Sequence, residues 1–209
     1  MKVAVFGESE LDETAIRILI EAILGKQTSV VDFRPRARSW PAICNALPSV
    51  LKYLHYQTDA EALVIVADSD DSPLHQPAHE QSGKWESECR YCALRVKTEL
   101  TFSQLNPISG RSTISTAIGI AVPAIEAWYL CGADPRASEA AWLQGGNSMR
   151  GASFRKELKR ALYGGDMAPS QLKQQRQKEE ALRLAQDLDM LEKFFPVGFG
   201  SLARTVRTW

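Results

Sequence analysis

The chain has 209 residues, 44% of them hydrophobic, and its 25 Lys and Arg balance 25 Asp and Glu. That length allows one sizeable core, and the composition excludes a disordered polymer, a collagen-like fibre and a bundle of membrane spans. The zero net charge conceals an asymmetry: residues 1–149 carry 13 basic against 18 acidic side chains, and residues 150–209 carry 12 against 7. An acidic front and a basic tail fit a metal site joined to a surface for an anionic partner, although solvated helix faces would give the same count.

Residues 2–6 read as a buried strand, after which Gly7 lets the chain turn into Glu8. Apolar residues at Leu11, Ala15, Ile18, Leu19, Ala22 and Ile23 predict a helix over 11–24, ended by Gly25. A second strand is expected at 29–33, followed by Arg34, Pro35, Arg36 and Arg38, and then a helix over 43–54 interrupted or begun near Pro48. Leu63 to Val66 form an apolar run typical of a strand buried on both faces. A polar loop follows, then a helix over 86–102 with Cys89, Ala93, Val96 and Leu100 on one stripe. The next strand is predicted at 117–122, and Pro123 is expected to open a helix over 124–131. Gly145 and Gly146 suggest a linker before helices at 154–163 and 170–194. The apolar stripe of the last helix (Leu184, Leu188, Leu191, Phe195) should pack back on the rest.

This alternation predicts an α/β fold with a mainly parallel four-stranded sheet flanked by helices, Rossmann-like, with a helical C-terminal region. Two parts are expected: residues 1–144, with an insertion at about 72–95, and residues 145–209. If the first three strands are ordered 2-1-3, the first and third are neighbours and Glu8 lies beside Asp68, at the sheet edge where ligands bind in such folds. Asp68, Asp70 and Asp71 arrive within four residues, and Glu126 follows the fourth strand. Carboxylates gathered from three strands suit Mg²⁺ or Mn²⁺, which take oxygen ligands and can activate water at a phosphate. Each acid also has a plainer reading. Asp68 to Asp71 could be a solvated turn, Glu126 could pair with an arginine, and Glu10, Asp12 and Glu13 fit the positive end of the first helix dipole.

A strand ending Gly7-Glu8 paired with one ending Asp68-Ser69-Asp70 resembles the toprim domain of topoisomerases, bacterial primases and overcoming-lysogenization-defect nucleases. With Ile125-Glu126-Ala127-Trp128-Tyr129-Leu130, the pattern is closest to a group of small bacterial toprim-like proteins, over roughly residues 1–132. Ser9 stands where that group often has glycine. The resemblance implies a toprim glutamate at Glu8, a metal-binding pair at Asp68 and Asp70, and a further acid at Glu126. Members of the group occur near ATPases in mobile or phage-defence operons, which implies a partner ATPase. The chain itself has no G-x4-G-K-[ST] loop for ATP.

His75-x3-His79 followed by Cys89-x2-Cys92 places two histidines and two cysteines at spacings suited to tetrahedral, structural Zn²⁺. Buried cysteines beside solvated histidines would be the plainer account. Arg34, Arg36, Arg111, Lys156, Lys159 and Arg160 are candidate contacts to a nucleic-acid backbone. These features lead to the expectation of a metal-dependent phosphodiesterase, a toprim-type nuclease acting on DNA or RNA. The alternative is a non-catalytic binding module stabilised by zinc. No apolar run approaches the roughly 18 residues that span a bilayer, and a cytoplasmic location is expected. Nucleic acid and an ATPase are the anticipated partners, and pairing with a second copy is left open.

Overall fold

The computed structural model describes residues 1–33, 39–82, 88–146, 151–165 and 167–209. In chain order its elements are β1 (Lys2–Phe6), α1 (Glu10–Leu24), β2 (Ser29–Val30), α2 (Trp40–Gln57), β3 (Ala62–Asp68), α3 (Pro77–Ser82) and α4 (Arg90–Ser103). There follow β4 (Ser115–Ala121), α5 (Ile125–Tyr129), α6 (Glu139–Gln144), α7 (Ala152–Tyr163), α8 (Ser170–Leu184), α9 (Leu188–Phe194) and α10 (Gly198–Val206). The strands lie in the order β2-β1-β3-β4 with every pairing parallel. This is a four-stranded α/β sheet of Rossmann-like form, with β1 and β3 adjacent as the predicted order requires. Among the described residues no helix is long and apolar enough to cross a membrane.

Strand alternation divides the core into two layers. One face presents Val3, Val5, Val64, Val66 and Ala117 to α1 and to the helices from α5 onward. The other presents Ala4, Phe6, Leu63, Ile65 and Ile118 to α2 and α4. Helix α2 runs through Pro48, because Ile43, Leu47, Val50, Leu51 and Leu54 all bury and outweigh the one ladder bond that a proline removes. Strand β2 is shorter than expected: pairing stops after two residues, and Phe33 instead tucks against the Phe6 ring, 5.9 Å away.

The helix after the second histidine begins at Arg90, with Cys89 as its N-cap, and its buried residues are Cys92, Leu94, Thr98 and Thr101. The expected stripe through Leu100 is therefore rotated, and Leu100 is 58% exposed. Two threonines disguised the true inward face; Thr101 is accommodated there because its hydroxyl donates to the Lys97 carbonyl at 2.7 Å. Pro123 does not open a helix. Its peptide bond with Val122 is cis, α5 starts two residues later, and the Pro123 carbonyl accepts the Asp70 N–H at 2.8 Å.

The C-terminal region forms a layer of the core rather than projecting from it. Ala181, Leu184, Leu191, Phe195, Phe199, Leu202 and Val206 share one cluster with β1, β3 and α1. The expected long helix is divided into α8 and α9, and the side chain of Asp187 accepts the Met190 N–H at 3.0 Å as the new N-cap. Helix α10, unassigned by periodicity, lies across the edge strand β4. Its close approach needs two glycines: a Cβ on Gly119 would sit 3.0 Å from Trp128 and 3.1 Å from Leu202, and one on Gly198 only 2.0 Å from the Ile120 carbonyl. Buried Glu139 holds the start of α10 by accepting the Val197 and Gly198 N–H groups at 3.0 and 2.6 Å.

This placement separates two leucines. Leu202→Ala should lower the unfolding free energy by about 2–4 kcal/mol. Leu100→Ala, at an exposed position, should change it by less than about 0.5 kcal/mol. Urea denaturation of both variants measures the difference, and comparable losses would contradict the packing described.

Candidate functional site

The carboxyl ends of β1 and β3 converge on a group of acids, two buried and two half-buried. Gly7 breaks β1 and delivers Glu8, whose Oε1 accepts the Asp68 N–H at 3.3 Å. Asp68 ends β3, and its Oδ1 accepts the Ile125 N–H at 2.8 Å. Glu126, one residue further along α5, is 5% exposed. Its Oε1 accepts the Tyr163 hydroxyl at 3.4 Å and lies 3.9 Å from the Lys159 ammonium. No described donor reaches its buried Oε2.

Asp12 is the fourth member. It lies in the first turn of α1 with Glu10 and Glu13, where the helix dipole favours an acid, and unlike them it is buried, with Ala15, Ile16, Leu19 and Ile20. The legible signal was registration: residues 12, 15, 16, 19 and 20 form one helical face, and an acid on it points inward. Gln177 of α8 donates from Nε2 to Asp12 Oδ1 at 2.8 Å and to the Tyr163 hydroxyl oxygen at 2.9 Å. Asp12 and Glu126 are thus linked through two side chains of the C-terminal region that sequence reasoning missed, because amide and phenol residues on helices carry no distinguishing pattern.

Burial governs the electrostatics. It pushes the Asp12 carboxyl up to about 8, with Glu126 adding to the effect and Lys159 opposing it. Asp68 is raised well above the carboxylate range by burial and then by Glu126, Glu8 and Asp12, while the Ile125 N–H works against the shift. Glu126 is raised by burial against the pull of Lys159, and Glu8 by burial against its bond from the Asp68 N–H. Glu8, Asp12 and Asp68 line a small cavity of about 10 Å³, room for the centre of one water or one bare cation.

The other two acids of the turn are engaged elsewhere. Asp70, in the left-handed region at φ 49°, pairs with Arg90 at 2.6 Å and Arg155 at 3.2 Å. Arg90 also donates to the Asp68 carbonyl at 2.5 Å. Asp71 accepts the Gly151 N–H at 2.8 Å, at the start of α7, and lies 3.3 Å from Arg155. Glu8, Asp68 and Asp70 therefore do not form the ready-made Mg²⁺ site expected of them. Among the described residues, His75, His79, Cys89 and Cys92 are the one group of three or more such side chains with donor atoms gathered for an ion.

Those four donor atoms lie within 4.8 Å of one another, so the His2Cys2 cluster could hold a metal such as zinc. The cysteines are free thiols, and burial together with Cys89 pushes the Cys92 thiol up to about 12.

The basic candidates separate. Lys159 stands beside Glu126, and Lys156 and Arg160 are exposed on the same helix. Arg111 lies at the opposite end of the sheet, where its guanidinium donates to the carbonyls of His55, Leu54 and Ala60 at 2.6, 3.2 and 2.9 Å. A guanidinium committed to three carbonyls serves the end of α2 rather than a phosphate. Arg34 and Arg36 lie outside the described residues. Comparison with family models, curated proteins and solved structures returned no match.

A buried carboxyl raised above its unfolded value keeps its proton when the unfolded chain has lost its own. Stability associated with Asp12 is therefore complete in acid and declines as pH rises from about 4 towards about 8. Asp12→Asn keeps an acceptor for Gln177 and should flatten that decline. Denaturation at pH 5 and pH 8, without added divalent cation, should show the parent losing on the order of 2 kcal/mol more than the variant between the two values. Parallel slopes would show that Asp12 ionises normally.

Proposed function

We propose that the chain is a metal-dependent phosphodiesterase of toprim type that cuts DNA or RNA. The observation that carries this reading is the gathering of four acids at the carboxyl edge of a parallel sheet, Asp12 and Glu126 buried and Glu8 and Asp68 half-buried. Their mutual repulsion and desolvation leave them protonated or in need of a cation. A hard cation such as Mg²⁺ is commonly held by one or two carboxylates, with water and substrate phosphate completing its shell, so a full protein cage is not required. Glu8 and Asp68 are the residues that would hold it, and the uncompensated Oε2 of Glu126 is a third donor suited to it. When bound, such an ion neutralises phosphate charge and lowers the pKa of a coordinated water.

The chain's own groups have distinct parts. Lys159, half-exposed beside Glu126, offers a cation to a phosphate oxygen at the mouth of the site. Glu8, whose carboxyl is raised above its usual range by burial, would serve either as a ligand of that ion or as the base that receives the proton of the attacking water. Tyr163 and Gln177 hold Asp12 and Glu126 in place. The exposed bases Lys156 and Arg160 extend a positive surface from Lys159, favourable to a nucleic-acid backbone. The partner ATPase and the link to phage defence rest on the toprim resemblance alone.

One observation favours a second reading, a non-catalytic nucleic-acid or protein-binding module. Asp70, the second acid of the D-x-D, is spent on Arg90 and Arg155 rather than turned to the cavity.

The purified chain should cleave at least one of single-stranded DNA, duplex DNA or RNA when Mg²⁺ or Mn²⁺ is supplied. Glu8→Gln and Asp68→Asn should each slow cleavage by about 100-fold or more, and Lys159→Ala should mainly raise KM. Binding that persists in both carboxylate variants, with no turnover in the parent under either cation, would replace the nuclease with the module.

A further inference from the structure

The His75, His79, Cys89 and Cys92 cluster has the dimensions of an assembled metal centre. The Nδ1 of His75 lies 3.6 Å from the Cys89 sulfur and 3.5 Å from the Cys92 sulfur. With Zn–S near 2.3 Å and Zn–N near 2.0 Å, a tetrahedron separates its nitrogen and sulfur corners by about 3.5 Å. The second nitrogen of His75 meets Glu80 at 3.2 Å, and Glu80 is held in turn by Arg95 at 3.2 Å. A carboxylate on the far side of a ligating imidazole is the usual device for fixing its tautomer and orientation. Both cysteines are buried, 1% and 2% exposed, so four protein donors leave no open position for substrate water.

Arg90 sits between the two cysteines, at the first residue of α4. Its side chain runs under the Trp40 ring, 4.8 Å from the centroid, to the Asp68 carbonyl and the Asp70 carboxylate. The backbone that carries this clamp is therefore the backbone that carries the two cysteines. We propose that His75, His79, Cys89 and Cys92 form a structural zinc centre that fixes Arg90, and through it the turn bearing Asp68 and Asp70 at the carboxylate site. Arg90 is a positioning residue: it organises the turn without entering the cavity that Glu8, Asp12 and Asp68 line.

The full chain, purified in reducing, chelator-free buffer, should contain about one equivalent of zinc by elemental analysis. Its cobalt-substituted form should show the visible ligand-field and thiolate charge-transfer bands of a tetrahedral S2N2 site. Arg90→Ala should retain the zinc yet speed amide exchange at Asp70 by about tenfold or more, with β1 amides unchanged. Extraction of zinc should accelerate the same amide. None of these measurements needs catalytic activity, so they stand or fall separately from the nuclease reading. Zinc below about a tenth of an equivalent even after incubation with Zn²⁺, or a Cys89–Cys92 disulfide in the reduced preparation, would overturn the centre. Unchanged exchange at Asp70 in Arg90→Ala would overturn the coupling, including when zinc extraction unfolds the whole chain.

Discussion

A carboxylate removed from water needs a donor, a cation or a proton, and at the carboxyl edge of β1 and β3 two buried carboxyls, Asp12 and Glu126, stand beside two half-buried ones, Glu8 and Asp68. The surrounding structure is arranged around that requirement. Glu8 takes the N–H of Asp68, and Asp68 takes the N–H of Ile125, so two of the acids are supported by backbone at strand and helix ends. Asp12 and Glu126 depend on α7 and α8, through Gln177, Tyr163 and Lys159. Gln177 lies 165 residues along the chain from the carboxylate it supports, which ties the C-terminal helices to the site as well as to the core.

Around this centre the charges change partners. Asp70 and Asp71, which look like members of the same acidic cluster, face outward to Arg90, Arg155 and the start of α7. They brace the turn, Asp71 by anchoring α7 and Asp70 by joining α4 to α7 through two guanidinium groups. Two kinds of ligand chemistry then adjoin across a few residues of chain. The donors differ in type, carboxylate oxygens at the sheet edge and the imidazoles and thiols of His75, His79, Cys89 and Cys92 beyond it. Arg90 belongs to both neighbourhoods, flanked by Cys89 in sequence and bonded to Asp68 and Asp70 in space.

Much of the architecture was legible because hydrophobic patterning reports local geometry. The long apolar runs at β1 and β3 marked buried strands, and the β-α alternation implied a parallel sheet, in which the observed order makes Glu8 and Asp68 neighbours as the 2-1-3 arrangement would. Histidine and cysteine at ligand spacing marked a cluster that the fold does gather. Errors arose where the buried face was polar. Thr98 and Thr101 hid the inward side of α4, and the first-turn place of Asp12 hid that it also shares a buried face with Ala15, Ile16 and Leu19. The division between α8 and α9 turned on a single N-cap, Asp187, inside an otherwise continuous helical pattern.

Sequence by itself determined the alternation of strands and helices, the parallel sheet it implies and the grouping of two histidines with two cysteines, since each follows from local periodicity or short spacing. The order β2-β1-β3-β4, which makes Glu8 and Asp68 neighbours, is fixed by the packed sheet. Tertiary structure alone decided which acids share the buried site. Asp68, Asp70 and Asp71 are chemically equivalent in the sequence, and only the arrival of Arg90 and Arg155 from distant helices turns two of them outward. The same holds for Asp12, Tyr163 and Gln177: no short-range signal relates residues on helices at opposite ends of the chain. Their association is set by how α1, α7 and α8 pack on one face of the sheet.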